Sequence, residues 1–194
     1  MAKAFLSTVF PQAEISLLFE NSDFDFGIYH LVSGEHQLIF TDGMSIYEQK
    51  PSENQKDYNK VELYCLLPTY IDPTKVKWPV HWLNRIAQVP QKNKTWFGPG
   101  DTIPAGNPPQ NIVGGFEANH FILSKPFKLS EELDSSYDKA DFKFLAIIPI
   151  FEPELDYKFR NSGTALLNRL AKKGYSEEID TYRSTVCRKR ILGF

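Results

Sequence analysis

The sequence predicts an α+β fold: a mixed, largely antiparallel sheet packed against helices as a single layer pair, in one domain spanning residues 1–194. Three observations predict it. Aromatic residues are abundant, with 15 Phe, 9 Tyr and 3 Trp, which suits strands whose large side chains fill wide layers. The apolar patterns run strand, strand, strand, helix, strand, strand, helix, without the regular alternation that builds a parallel sheet. No internal repeat and no shift of composition divides the chain.

Ala13 to Phe19 is the first strand candidate, closed by the polar turn Asn21-Ser22-Asp23. Phe26 to Val32 and His36 to Thr41 flank Ser33-Gly34-Glu35, a hairpin spacing in which Gly34 supplies a positive φ. Asp42-Gly43 stops the second arm, and the polar stretch from Gln49 to Lys60, with Pro51, reads as an exposed connection. Val61 to Leu67 alternates, so Val61, Leu63, Cys65 and Leu67 form a core face while the other face carries Glu62. Pro68 ends it.

A helix is expected from Trp78-Pro79 to about Gln88, where Pro90 stops it. Pro79, Trp82, Leu83 and Ile86 share one face, which makes Trp82 a core anchor, while His81 and Asn84 lie away from it. Gln91 to Gly115 holds too many prolines and glycines for a regular helix, yet Trp96, Phe97 and Ile103 imply that it is packed down. Phe116 to Leu123 and Phe142 to Ile150 read as strands, the second apolar on both faces and therefore central, with Pro126 to Asp141 as a polar connector. Pro153 opens a short helix with Glu154 and Asp156 in its first turn. A longer one follows, capped by Ser162, closed by Gly174 and burying Leu166, Leu167 and Leu170.

Composition narrows the function. With 42% hydrophobic and 24% charged residues, the chain is neither disordered nor fibrous. A net charge of -2 is a poor basis for holding a polyanion, so direct nucleic-acid binding is not expected. Two cysteines, Cys65 and Cys187, suggest a reducing compartment. The apolar run Phe144 to Phe151 is far too short to cross a bilayer, and Met1 to Phe10 lacks the apolar core of an export signal. A cytoplasmic protein without a membrane partner is expected.

Catalytic signatures are missing. The sequence holds no Gly-rich phosphate loop, Rossmann fingerprint, HExxH, paired CxxC or G-x-S-x-G elbow. Cys65 reads as a core thiol and Cys187, beside Arg188 and Arg190, as incidental. His30 and His36 stand on the two arms of the hairpin, but two imidazoles make no convincing metal site. His81 and His120 read as a surface residue or a satisfied core polar group. Glu152 and Glu154 flank Pro153 where a strand end meets a helix start, a setting explained by helix-terminus electrostatics. Glu62 is odd inside a strand and is expected either to reach solvent or to pair with a base such as Arg169 or Arg183. The basic cluster Arg183, Arg188, Lys189 and Arg190 lacks the interleaved aromatics that stack bases. No catalytic residue, cofactor or metal is therefore assigned.

Four blocks carry a resemblance: Phe40-Thr41-Asp42-Gly43-Met44-Ser45, Val61-Glu62-Leu63-Tyr64-Cys65-Leu66-Leu67-Pro68, Trp78-Pro79-Val80-His81-Trp82-Leu83, and Phe144 to Pro149 leading into Glu152-Pro153-Glu154-Leu155. In order and spacing, from about residue 25 to 185, the chain resembles the suppressor of fused-like domain family. The resemblance implies a non-catalytic, protein-binding domain. The larger animal members bind a transcription factor; bacterial stand-alone members, to which this chain is similar in length, look like immunity proteins that neutralise a polymorphic toxin, often a nuclease. The partner implied is thus a protein, a cognate toxin domain.

An aromatic hot spot with acids around it suits such a contact. The expected contact residues are Trp96 and Phe97 in the Pro-rich loop, with Asp101, Glu62 and Asp42 supplying charged selectivity. Two other classes make different demands. A regulatory domain adds a peptide strand to an open sheet edge. A hydrolase gathers Glu62, Glu152, Glu154 and His120 in one pocket.

Overall fold

The computed structural model describes residues 1–34, 36–137 and 140–187; the basic residues Arg188, Lys189 and Arg190 lie outside them. In chain order the elements are α1 (Ala2–Val9), β1 (Glu14–Asn21), β2 (Phe26–Ser33), β3 (His36–Asp42), β4 (Val61–Leu67), α2 (Trp78–Ala87), α3 (Val89–Asn93), β5 (Thr102–Pro104), β6 (His120–Ser124), α4 (Ser130–Tyr137), β7 (Lys143–Ile150), α5 (Glu152–Arg160) and α6 (Gly163–Ala171). The strands form one seven-stranded sheet in the order β1-β2-β3-β4-β7-β6-β5. All neighbours are antiparallel except β4 and β7, whose parallel pairing joins Val61–Tyr64 to Lys143–Ala146. The α+β class with a mixed, largely antiparallel sheet is thus observed.

Helices cover both faces, so the expected single layer pair is corrected to a sheet between two apolar layers. On one face, Ile28, Ile39, Leu63, Cys65, Leu145 and Ile147 pack with Leu83 and Ile86 of α2 and with Phe97, Ile112 and Phe116 of the Pro/Gly-rich segment. On the other, Leu31, Phe40, Tyr64, Leu66, Phe144 and Ile148 pack with Leu6 of α1, Leu133 of α4, Leu155 of α5 and Leu166 and Leu170 of α6. The cause lies in β4 and β7. Every residue of β4 is buried, and β7 is apolar at consecutive positions, so each strand presents two faces that must be shielded from water.

Pro149 is tolerated inside central β7 because its carbonyl points to Arg183 Nη2 at 2.6 Å while β4 pairs only as far as Ala146. The missing N–H therefore falls where no ladder partner stands.

Two helices replace expected irregular segments. α1 occupies the stretch read only as lacking an export signal; its Ala2 and Leu6 are buried one turn apart. α4 occupies the connector Pro126 to Asp141. α2 begins at Trp78 with Pro79 second, and Pro90 starts α3 instead of ending all helix. Ser162 caps α6 by accepting from Ala165 N at 3.0 Å, as expected. Trp82 anchors α2 against the Pro/Gly-rich segment, donating from Nε1 to Ile112 O at 2.9 Å. Among the described residues no helix is long and apolar enough to cross a membrane.

Candidate protein-binding surfaces

Two of the blocks singled out in the sequence prove to be one hydrogen-bonded unit. β4 carries Glu62 beneath the turn that leaves β3, where the carboxylate is fully buried. Oε1 accepts from Ser45 Oγ at 2.6 Å and from the backbone N–H groups of Gly43 and Ser45, both at 3.0 Å. Oε2 accepts from Thr41 Oγ1 at 2.5 Å. Glu62 therefore neither reaches solvent nor pairs with Arg169 or Arg183; four donors from one turn satisfy it. Burial pushes its carboxyl up to about 7, against the pull of those hydrogen bonds. Gly43 is required there. Its φ is 114°, and a Cβ would stand 2.4 Å from Asp25 O.

Two further glutamates are buried in the same manner. Glu154, third residue of α5, accepts from Phe151 N at 3.0 Å, Val186 N at 2.9 Å and Arg183 Nη1 at 2.8 Å. Arg183 is sandwiched near the rings of Phe151 and Tyr175. Glu177 accepts from Lys128 N at 2.8 Å, Leu129 N at 3.1 Å and Tyr64 Oη at 3.2 Å. It thereby fixes the entry to α4.

The pocket demanded by a hydrolase is not assembled. Glu62 and Glu154 occupy separate interior clusters, and only His120 and Glu152 meet, 3.7 Å apart. Burial lowers the His120 pKa, partly offset by Glu152. His30 and His36 do not face each other: His30 pairs with Ile39 and His36 with Ser33, while His36 Nε2 reaches Glu132 at 2.7 Å. Cys65 and Cys187 are free and buried, and burial raises both thiols. Among the described residues no group of three or more His, Cys, Asp or Glu is placed to hold a metal ion.

The five expected contact residues divide. Phe97 is 4% exposed and lies in the core, its N–H donating to Gln49 Oε1 at 2.7 Å; with Glu62 it is closed to any docked partner. The hydrophobic effect explains the burial of Phe97, because the Pro/Gly-rich segment needs an anchor to cover the sheet. Trp96 is half-buried. Asp101 is also half-buried and accepts from Gly98 N at 2.8 Å, and burial raises its carboxyl. Asp42 accepts from the Met1 ammonium at 2.6 Å.

An exposed apolar pair beside an unpaired strand edge lies elsewhere, at β1. β1 is eight residues long and its outer side carries no strand. Leu17 is 52% exposed and Phe19 38%; a bulge interrupts the β2 register between them, and Leu18 packs against the core. Beside them runs a groove of about 490 Å³ whose far wall includes Lys77, Val80, His81 and Asn84. The opposite edge, β5, is three residues long and ends in Pro104, which makes it a poor template for pairing. The sequence signals the outward apolar side chain, because Leu17-Leu18-Phe19 breaks strand alternation, but not that β1 is an edge.

A sheet covered on both faces, with a long unpaired edge at β1 and its buried acids bound into structural hydrogen bonds, suits a protein–protein interaction module. The chain belongs to the suppressor of fused (SUFU) family, whose model matches residues 27–184; domains of this family are non-catalytic. In fold it is similar to a SUFU homologue from Neisseria gonorrhoeae FA 1090, at 15% identity and a TM-score of 0.69, with 97% of this chain and 96% of that one covered. It is also similar to a chain of the Sufu–Fu complex, at 15% identity and a TM-score of 0.61, with 94% and 89% covered. No curated protein matches the chain by sequence.

Proposed function

We propose that residues 1–194 act as a single regulatory domain that binds a partner protein by accepting one of its extended segments as an eighth strand beside β1. The observation that carries this reading is the unpaired outer side of β1 next to a groove lined by Leu17, Phe19 and Val80 on its apolar side and by Thr74, Lys77 and His81 on its polar side. Main-chain hydrogen bonds along the edge supply affinity, and the groove beside Leu17 and Phe19 selects alternate side chains of the incoming segment. Similarity to a chain crystallised in the Sufu–Fu complex supports a protein partner. Two buried free thiols accord with a cytoplasmic setting. Neutralisation of a toxin is a finer role that rests on the family resemblance; the charge and shape of the edge do not single out a toxin domain.

A photoreactive amino acid at Leu17, in the otherwise complete chain expressed in its host, identifies the partner. Hydrogen exchange with that purified partner then reads the edge. Protection of the outward β1 amides, with binding lost in Phe19→Asp and retained in Trp96→Ala at matched folding, supports strand addition. Unchanged β1 exchange, or binding lost in Trp96→Ala by about 2 kcal/mol or more and retained in Phe19→Asp, overturns it in favour of the Pro/Gly-rich loop. An activity assay of the captured partner separates regulation from toxin neutralisation.

A further inference from the structure

On the strand-addition reading, the β1 edge also dictates the chemistry of its occupant. Side chains directly across an antiparallel pair stand about 5 Å apart on the same face, so each β1 residue sets a preference at one position of the incoming strand. β1 reads Glu14-Ile15-Ser16-Leu17-Leu18-Phe19-Glu20-Asn21, an apolar middle between two exposed acids. Glu14 stands across from Val32 and Glu20 from Gly27. Val32 shares the face of Ile28, on which α2 packs, and Gly27 that of Leu31, on which α1 packs. The two acids therefore project to opposite faces, and through the bulge six steps of β1 match five of its neighbour. Between them along the strand, Lys77 lines the groove beside Leu17 and Phe19. A second copy of this chain is a poor occupant. Two antiparallel β1 strands centred on Leu17 set Glu14 of each against Glu20 of the other, and a shift of one residue sets Glu20 against Ile15. Neither register gives an opposite-charge pair, and the first brings like charges together.

From this arrangement we infer that the added strand comes from a different protein and carries an apolar middle between two basic residues five positions apart, one across from Glu14 and the other across from Glu20. The odd spacing places the two cations on opposite faces of the incoming strand, as the two acids require. Acids at its ends would meet Glu14 and Glu20, and a third cation in its middle would meet Lys77.

The test is a titration of the ¹⁵N-labelled full chain with a blocked Lys-Val-Val-Thr-Val-Lys peptide and with its Glu-ended counterpart, Glu-Val-Val-Thr-Val-Glu. Saturable shifts at the amides of β1 are expected, with the Lys-ended peptide binding roughly fivefold more tightly. Glu14→Lys combined with Glu20→Lys inverts that order. Glu53→Lys combined with Asp57→Lys makes the same change of net charge at exposed acids outside β1 and leaves the order as it was. Equal affinity for the two peptides, or inversion by the Glu53 and Asp57 pair as well, would overturn the inference while leaving strand addition standing. Absence of β1 shifts with either peptide at millimolar concentration would overturn both.

Discussion

Glu62→Gln turns the buried carboxyl into a measurable pH dependence. The sign follows from the direction of the shift. Below pH 4.5 the group is protonated in both the folded and the unfolded chain and contributes no pH dependence. As pH rises from the ordinary value of 4.5 toward about 7, the unfolded chain ionises first and the native state loses stability; above 7 both are ionised and the loss is complete. At about 1.4 kcal/mol per pH unit, the interval corresponds to about 3 kcal/mol. Glutamine removes this titration and adds a constant penalty of about 1–3 kcal/mol, because with its carbonyl oxygen kept on the Gly43 and Ser45 donors its amide N–H₂ confronts Thr41 Oγ1, which donates to the native carboxylate. Guanidinium unfolding of both proteins from pH 4.5 to 8 isolates the effect, since every other titration cancels in the difference. The advantage of wild type over Glu62→Gln shrinks by about 3 kcal/mol across that range. A difference that stays level, or grows with pH, would refute the reasoning and mean that the four hydrogen bonds outweigh desolvation.

Other perturbations test neighbouring parts of the argument. Arg183→Met strands Glu154 in the interior and costs about 3–5 kcal/mol in denaturant unfolding, and Arg183→Met with Glu154→Leu recovers a large part of it. Gly43→Ala forces a Cβ against Asp25 O and costs about 1–3 kcal/mol by the same measurement. Glu177→Ala releases the amides of Phe127, Lys128 and Leu129, so their hydrogen exchange accelerates well beyond that of β7. Ser162→Ala removes the α6 cap and lowers stability by about 1 kcal/mol.

Local pattern located most strands because alternation and turn chemistry act over a few residues. Val61–Leu67 matches in both bounds, and the hairpin arms match to within a residue. α4 escaped notice because Ser130–Tyr137 is polar and Leu133 is its buried anchor. α1 escaped because Phe5, Leu6 and Val9 were weighed only as an export signal. Glu62 was legible as an anomaly and illegible as a site: its donors lie 17 to 21 residues away, and only the β3–β4 pairing brings them above it. Arg183 was named as a base in search of an acid, but tertiary packing gives it Glu154. The open edge depends on strand order, a long-range property that periodicity does not encode.

The parallel β4–β7 junction has a consequence for assembly. β1 to β4 come from one continuous stretch of chain, and β7, β6 and β5 from a later one, so each half can zip up through near neighbours while the seam closes only after a long excursion. The proposed edge belongs to the earlier half. Each half can therefore accept substitutions along its outer strand without disturbing the pairing of the other.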